Sequence, residues 1–294
     1  MDIGIEPPHD PRTSWDLPAP GSMPVTTRLD EVATRVLAPN ASPMTLDGTN
    51  TYVLGADGTG EALVVDPGPE DPDHLARVEA VLSERDAAVR AVVVTHHHLD
   101  HAAAAAAWGR RFGAPVLAGS VRVADSRDSV VGDGQAIGLS GLEVRVIATP
   151  GHCADHVALR LGTGALLTGD HVLGRGTSVV THPDGDLGDY LTSLRRVLDL
   201  GPDALLPGHG PELREDPQAV LRYYEEHRRF RQAQILAALE AGPVTPRGLV
   251  ERIYVDVPRH LWEAAEASTR SALDLLEQRG RVLQGPSDIV RLAD

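Results

Sequence analysis

Cysteine is almost absent from this 294-residue sequence, and lysine is missing altogether. A single cysteine, Cys153, leaves no pair that could form an intrachain disulfide. This cysteine usage is typical of proteins in a reducing compartment, so we expect a cytoplasmic location.

Long apolar runs are also missing. No stretch approaches the roughly 20 apolar residues that a transmembrane helix requires, so we expect a soluble protein with no membrane partner. Residues 1–23 hold five prolines and no apolar core of the length found in signal peptides. We predict that residues 1–23 form a disordered leader.

Positive charge is scarce and is carried by arginine alone. The 27 arginines face 42 acidic residues, which gives a formal net charge of -15. Nucleic-acid-binding proteins usually present a basic stripe, because neutralising phosphates supplies most of their non-specific affinity. The composition therefore favours a small-molecule substrate over RNA and argues against a DNA partner.

Histidine is concentrated in one stretch, residues 95–101, which reads Thr-His-His-His-Leu-Asp-His. An apolar, β-branched run precedes it and predicts a buried strand over 89–94, whereas the alanines after it predict a helix over 102–112. At such a corner His96 and His98 project to the same side and His97 points away. Asp100 and His101 begin the helix and can aim at the same space. Imidazole and carboxylate at this spacing suit zinc, iron or manganese.

Three later segments repeat the arrangement of an apolar strand that ends in a glycine-containing turn with a histidine or aspartate. The residues at these turns are His152, Asp170 with His171, and His209. In layered α/β proteins ligands converge at strand ends, so these side chains are expected to meet the histidine-rich stretch.

The ordered set His96-x-His98-x-Asp100-His101, His152, Asp170 and His209 resembles the metallo-β-lactamase superfamily. The segments over 48–52, 149–156, 169–177 and 207–211 are similar to its β-lactamase-like protein 2 group. The resemblance implies an α/β fold, a four-layer αββα sandwich with metals between its sheets, and a small C-terminal winged helix. We assign residues 24–212 to the catalytic domain, 213–242 to a connecting helix and 243–294 to the winged-helix-like domain.

The same resemblance implies two metal sites. One metal would be held by His96, His98 and His152, the other by Asp100, His101 and His209, with Asp170 as the bridge. The chain departs from the common pattern at Cys153 and at Ala102-Ala103, but neither departure removes a ligand. An aspartate bridge, in place of the cysteine of some true β-lactamases, argues against antibiotic hydrolysis.

Two bound zinc ions would hold and ionise a bridging water, because zinc lowers the pKa of bound water to about 7. We expect Zn²⁺ at both sites, with Fe and Mn left open, and Asp100 as a catalytic proton carrier. Several further residues are expected to support the ligands or to contact substrate. They are His156 and Asp66 near the ligands, and Arg175, Thr177, Ser178 and Tyr190 in or beside the polar segment 175–186.

The C-terminal unit follows a winged-helix pattern, but the second of its helices carries mostly acidic side chains. They are Glu263, Glu266, Asp274 and Glu277 against Arg270 and Arg279. We expect this unit to wall the active site or to mediate a homodimer.

The leading function is a dinuclear zinc hydrolase that uses a metal-bridging hydroxide on a small ester, thioester or lactam-like substrate. The resemblance also admits a single-strand endoribonuclease, and the fold also hosts mononuclear iron dioxygenases.

Overall fold

Two β-sheets lie face to face in the computed structural model, which describes residues 6–180 and 182–293. The first sheet has six strands in chain order. They are β1 (Thr26–Arg28), β2 (Ala33–Leu37), β3 (Asn50–Leu54), β4 (Glu61–Val65), β5 (Ala88–Val94) and β6 (Val116–Ala118). β1 to β4 form an antiparallel meander, and β5 and β6 are added in parallel.

The second sheet has five strands in the reverse of chain order. They are β7 (Ala136–Ile137), β8 (Val144–Ala148), β9 (Val157–Leu161), β10 (Ala165–Gly169) and β11 (Ala204–Pro207). Only the β10–β11 pair is parallel. Side chains from the two sheets, such as Leu63 and Val93 facing Val146 and Leu167, form the core between them.

Helices cover the outer face of each sheet. α1 (Pro72–Glu84), α2 (Leu99–Ala102) and α3 (Ala105–Phe112) lie along the first sheet, where Val78 and Trp108 join its outward valines. α4 (Leu187–Leu200) and α5 (Pro217–Glu240) cover the second sheet, where Leu194 and Tyr224 join the same apolar cluster as Leu205. The predicted four-layer αββα sandwich is therefore confirmed.

Capping residues set where three of these helices begin. An aspartate side chain accepts a hydrogen bond from the third helical N–H at the start of α1, α4 and α5: Asp71, Asp186 and Asp216 respectively. Proline occupies the first helical position after Asp71 and Asp216, where its missing N–H costs nothing.

The C-terminal unit contains α6 (Pro246–Ile253), α7 (Trp262–Gln278) and a hairpin of β12 (Val282–Gln284) with β13 (Val290–Leu292). Leu249 and Leu273 extend the apolar cluster that covers the second sheet. The winged helix thus shares a core with the catalytic domain. None of the helices in the described residues is long and apolar enough to cross a membrane.

Several elements differ from the sequence predictions. Strands β1 and β2 are separated by a turn over residues 29–32. The helix expected over 102–112 is divided into α2 and α3 between Ala102 and Ala105. β9 and α4 were not predicted. α4 has the helical spacing of buried Leu187, Leu191 and Leu194, but it follows directly on a polar, glycine-bearing segment.

The leader also differs from its prediction, since residues 6–23 pack on the catalytic domain and are not disordered. Arg12 is only 5% exposed and donates to the carbonyl oxygens of Leu173 (2.8 Å) and Gly176 (2.6 Å). Its partner Asp10 lies 2.7 Å away, and Trp15 packs against the neighbouring apolar cluster. The buried guanidinium group of Arg12 anchors residues 6–23, and composition alone cannot reveal such a contact. Residues 1–5 of the predicted leader lie outside the described residues.

We expect Arg12→Ala to lower the free energy of unfolding by about 1–3 kcal/mol, because two buried carbonyl groups lose their donor. Urea unfolding followed by circular dichroism measures the change. Ser14→Ala is the matched control, since the exposed Ser14 hydroxyl donates only to the nearby Pro11 carbonyl. Equal stability of the two variants would contradict the anchoring role of Arg12.

Candidate metal centre

Five strand ends meet at one edge of the sandwich. β5 leads into the histidine-rich turn, and β4, β8, β10 and β11 lead into the segments that carry Asp66, His152, Asp170 and His209. All four of these side chains are buried. The convergence expected from the repeated strand-turn pattern is therefore present.

The first group of convergent side chains is His96, His98 and His152. His98 Nδ1 lies 3.0 Å from His96 Nε2 and 3.0 Å from His152 Nε2. One nitrogen of each ring therefore faces the same small space, at separations that a shared ion would produce.

The second group is Asp100, His101 and His209. The Nε2 atoms of His101 and His209 are 3.1 Å apart, and Asp100 Oδ2 lies 3.2 Å from His209 Nε2. These atoms also fall within the spacing of a common ligand sphere.

Asp170 faces both groups. Its Oδ1 atom lies 3.3 Å from His101 Nε2 and 3.5 Å from His209 Nε2, and its Oδ2 atom lies 3.8 Å from His152 Nε2. Asp170 Oδ1 is buried and has no well-oriented hydrogen-bond donor among the described residues. A carboxylate oxygen in this state favours a cation beside it.

Hydrogen bonds on the outer side of the rings define the tautomers of three histidines. His101 Nδ1 lies 2.9 Å from Asp66 Oδ2, His152 Nδ1 lies 2.5 Å from the Val179 carbonyl oxygen, and His209 Nδ1 lies 3.2 Å from the Gly48 carbonyl oxygen. Carboxylate and carbonyl oxygens only accept, so each Nδ1 carries the proton. Each Nε2 atom therefore presents a lone pair to the site.

The same holds for His96 through Thr95. The Thr95 hydroxyl donates to Asp66 Oδ2 at 2.8 Å, so it accepts from His96 Nδ1 at 3.0 Å. His96 Nε2 is left as an inward lone pair. Facing lone pairs 3.0–3.1 Å apart repel one another unless a proton or a metal ion lies between them. The donor set thus fits divalent metal ions.

Without a metal the site holds charge as protons. Burial would lower the pKa of His101, but the Asp170 and Asp66 carboxylates raise it well above its ordinary value. Burial would raise the pKa of Asp170, but His209 and His101 hold it well below its usual range. Burial lowers the pKa of His98 to about 4, so this imidazole is neutral at pH 7. A metal would replace the proton on His101.

The supporting residues expected from the sequence differ in their positions. His156 is buried and accepts a hydrogen bond from the Asp170 backbone N–H at 3.1 Å. The Asp66 carboxylate accepts hydrogen bonds from Thr95 and His101. The Ser178 hydroxyl donates to the Asp170 carbonyl oxygen at 2.5 Å. All three therefore orient ligands.

Tyr190, which is expected to support the ligands or to contact substrate, lies in the helix that follows the polar segment. Tyr190 belongs to α4, is fully buried and donates its hydroxyl to the His171 carbonyl oxygen at 2.6 Å. Arg175 and Thr177 do line a cavity beside the metal centre.

His97 points away from the ligand groups, as predicted. Its Nδ1 atom lies 2.8 Å from Asp155, which also accepts from the Cys153 thiol at 3.3 Å. Burial and the neighbouring Asp155 raise the pKa of Cys153, so this cysteine is a protonated packing residue.

Sequence reasoning missed two residues that shape the site. Thr95 fixes His96, and Asn50 donates through its amide to the carbonyl oxygens of Pro207 (2.9 Å) and Gly210 (2.7 Å), on either side of His209. Gly208 completes this turn, because a Cβ atom there would lie 2.7 Å from Asp170 Oδ1. The signal for Asn50 is its place at the start of a buried strand, where an unpaired amide would be costly.

Comparison with known families agrees with this geometry. The family profile described as "Metallo-beta-lactamase superfamily" matches residues 44–209, and that described as "Beta-lactamase associated winged helix domain" matches residues 245–289. The chain belongs to the metallo-β-lactamase superfamily and is a hydrolase of that superfamily.

Individual relatives indicate which group of the superfamily the chain resembles. The "Beta-lactamase-like protein 2 homolog" of Drosophila melanogaster is 33% identical and is aligned over 88% of this chain and 92% of its own length. The "Atrochrysone carboxyl ACP thioesterase" of Aspergillus fumigatus is 32% identical over 80% of this chain and 78% of its own. A metallo-beta-lactamase family protein from Thermus thermophilus has the same fold, with a TM-score of 0.76 and 24% identity over 91% of this chain and 100% of that one. The resemblance to the β-lactamase-like protein 2 group is confirmed.

We expect Asp66→Asn to weaken zinc binding by about 10–100-fold, because the amide no longer fixes the His101 tautomer with a full negative charge. Competition with a chromophoric chelator measures the affinity. Asp155→Asn is the matched control, since Asp155 contacts a histidine outside both ligand groups. Equal zinc affinity in both variants would remove Asp66 from the metal centre.

Proposed function

We propose that the protein is a dinuclear zinc hydrolase of acyl thioesters or related small esters. The observation that carries the proposal is the pair of ligand groups that share the Asp170 carboxylate. His96, His98 and His152 would hold one ion, Asp100, His101 and His209 would hold the other, and Asp170 would bridge them. Nitrogen and carboxylate oxygen ligands suit Zn²⁺, and they do not exclude Fe or Mn.

Bound zinc supplies a hydroxide at neutral pH and polarises the carbonyl group under attack. The chain's own residues prepare the site for it. Thr95 and Asp66 hold His96 and His101 with their lone pairs inward, and Ser178 and His156 hold the Asp170 backbone. His96, His101 and Asp170 are buried, so their charges are only weakly screened, which strengthens their effect on a reacting carbonyl.

Asp100 is ionised in the resting site. Burial would raise its pKa, but the hydrogen bond from His209 and the charge of His101 lower it to about 2. Asp100 would take up the proton that the water gives up when a bound zinc ion ionises it, and would pass that proton to the leaving group. It cannot act as a resting acid at pH 7.

The substrate class is supported by the relatives and by charge. Two fungal relatives bear the name of an ACP thioesterase, so thioester hydrolysis occurs within this group of sequences. A thioester and an ester present the same electrophilic carbonyl to the site. The net charge of -15 disfavours RNA, which remains the alternative substrate.

The winged helix adds to the case against RNA. Its Arg270 is 2.8 Å from Glu266 and 2.5 Å from Asp288, so its charge is already paired. We propose that this domain serves the small-molecule site and binds no DNA.

We expect the purified protein to bind about two zinc ions per chain and to hydrolyse S-phenyl thioesters and nitrophenyl esters, but not a chromogenic lactam or single-stranded RNA. Elemental analysis and a panel of these substrates test this directly. Chelation should abolish turnover, and added zinc should restore it. Cleavage of RNA without ester turnover would favour the nuclease, and one iron with oxygen uptake would favour a dioxygenase.

We expect Asp100→Asn to lower kcat by at least about 100-fold even when the variant is loaded with two zinc ions, because the amide cannot carry the proton. Stopped-flow turnover and zinc content are measured on the same sample. Asp155→Asn is the control carboxylate variant. Near-normal kcat in fully metallated Asp100→Asn would show that Asp100 is a ligand only.

A further inference from the structure

A cavity of about 390 Å³ lies between the catalytic domain and the winged helix. This volume is within the range of about 300–1,000 Å³ that is typical of small-molecule pockets. Its apolar wall comes from both domains: Leu46, Leu173 and Val179 from the first, and Val257, Leu261 and Ala264 from the second. The cavity is named here the arginine cavity, for the three side chains described next.

Three arginines line the arginine cavity: Arg175, Arg228 and Arg231. No aspartate or glutamate lines it within residues 6–180 and 182–293. In the same described ranges none of the three forms an ion pair, although acidic residues outnumber basic ones across the chain. Each side chain has at least one buried guanidinium nitrogen without a hydrogen-bond partner.

The arginines are held in place by contacts that leave their charge uncompensated. Arg228, which is only 6% exposed, donates to the Ser178 carbonyl oxygen and lies over the Tyr190 ring at 5.0 Å. Arg231 lies over the Tyr254 ring at 4.4 Å. An aromatic face and a carbonyl oxygen stabilise a cation without neutralising it. Guanidinium groups therefore remain available for an anion.

His227 reports the positive potential of the cavity. Burial, together with Arg228 and Arg231, lowers its pKa to about 3, so the ring is neutral at pH 7. Its Nδ1 atom is buried without a partner. A neutral imidazole beside three cations offers one more contact to a bound oxyanion.

The arginine cavity is joined to the metal centre through residues 178 and 179. The Val179 carbonyl accepts from His152 Nδ1, and the Ser178 hydroxyl donates to the Asp170 carbonyl oxygen. Both residues also line the cavity. A ligand in the cavity therefore rests against the chain that positions two of the metal-facing side chains.

We propose that the arginine cavity binds an oxyanion, a carboxylate or a phosphate, carried on an apolar body, and so selects anionic acyl substrates for the metal centre. The apolar wall would hold the body, and Arg175, Arg228 and Arg231 would hold the anion by charge-assisted hydrogen bonds. The part of this proposal that concerns substrate selection rests on the proposed hydrolase function. Binding of the anion does not.

Turnover tests the selection with substrates that differ only in charge. S-phenyl thioesters of octanoic acid and of octanedioic acid place a methyl group or a carboxylate at the far end of the acyl chain. Octanoyl thioesters of pantetheine and of phosphopantetheine place a phosphate on the leaving thiol instead. A higher kcat/KM for the octanedioic than for the octanoic thioester would identify an acyl carboxylate as the natural anion. A higher kcat/KM for the phosphopantetheine than for the pantetheine thioester would identify a phosphate on the carrier.

Arg175→Gln and Arg231→Gln, singly and together, are expected to reduce the kcat/KM ratio of anionic to neutral substrate by at least about tenfold, mainly through KM. The ratio is unaffected by partial loss of folded protein, since both substrates report on the same sample. Arg229→Gln is the matched control on the same helix, because Arg229 is exposed and pairs with Glu225. A ratio that is unchanged in the double variant overturns the proposal.

Binding is measured without turnover by calorimetric titration of the zinc-loaded protein with the monoamide and the diamide of octanedioic acid, which contain no ester bond. The monoanion is expected to bind at least about tenfold more tightly, and the double variant to lose the difference. A preference that persists undiminished in the double variant overturns the proposal. Arginine-dependent binding without hydrolysis of any ester would refute the proposed function alone. Ester hydrolysis with neither charge preference nor arginine dependence would refute the cavity proposal alone.

Discussion

The outer hydrogen bonds of the histidines are the constraint on which the rest of the site depends. Asp66 accepts hydrogen bonds from both Thr95 and His101. Because Thr95 in turn contacts His96, one buried carboxylate determines the orientation of both His96 and His101. Backbone carbonyls do the same for His152 and His209. These bonds turn lone pairs toward one another, an arrangement that is unfavourable without a cation. A proton on His101, or a metal ion when one is bound, removes this repulsion.

The two sheets have to be held in register for this geometry to persist. Asn50 begins β3 in the first sheet, and its side chain binds the turn after β11 in the second; the Tyr52 hydroxyl reaches the Pro207 carbonyl at 2.8 Å. These contacts join the sheets at the edge where ligands from both converge. Because side chains from each sheet also fill the core between them, sliding of one sheet would disturb packing and ligands at once.

Much of the centre could be predicted from sequence, because ligands at strand ends produce a pattern of short apolar runs followed by glycine turns. The residues that hold the ligands in position could not be predicted. Asn50, Thr95 and the ordered Arg12 act through one or two hydrogen bonds to particular atoms, and such bonds leave no periodic signal. The burial of Tyr190 was not foreseen for a related reason, because α4, which begins after the Asp186 cap, was not predicted.

The metal centre and the arginine cavity carry side chains of opposite charge. Carboxylates are concentrated at the candidate metal centre, whereas on the other side of residues 178 and 179 three arginines form no ion pair with any of the described residues. Under the proposal, the remote anion of a substrate would meet the arginines while its carbonyl group lies at the metal centre. The winged helix supplies part of the apolar wall of the arginine cavity. It can do so because it shares a core with the catalytic domain. Under the same proposal, the charge preference would depend on this domain interface, and loosening the interface would weaken that preference before it weakened hydrolysis.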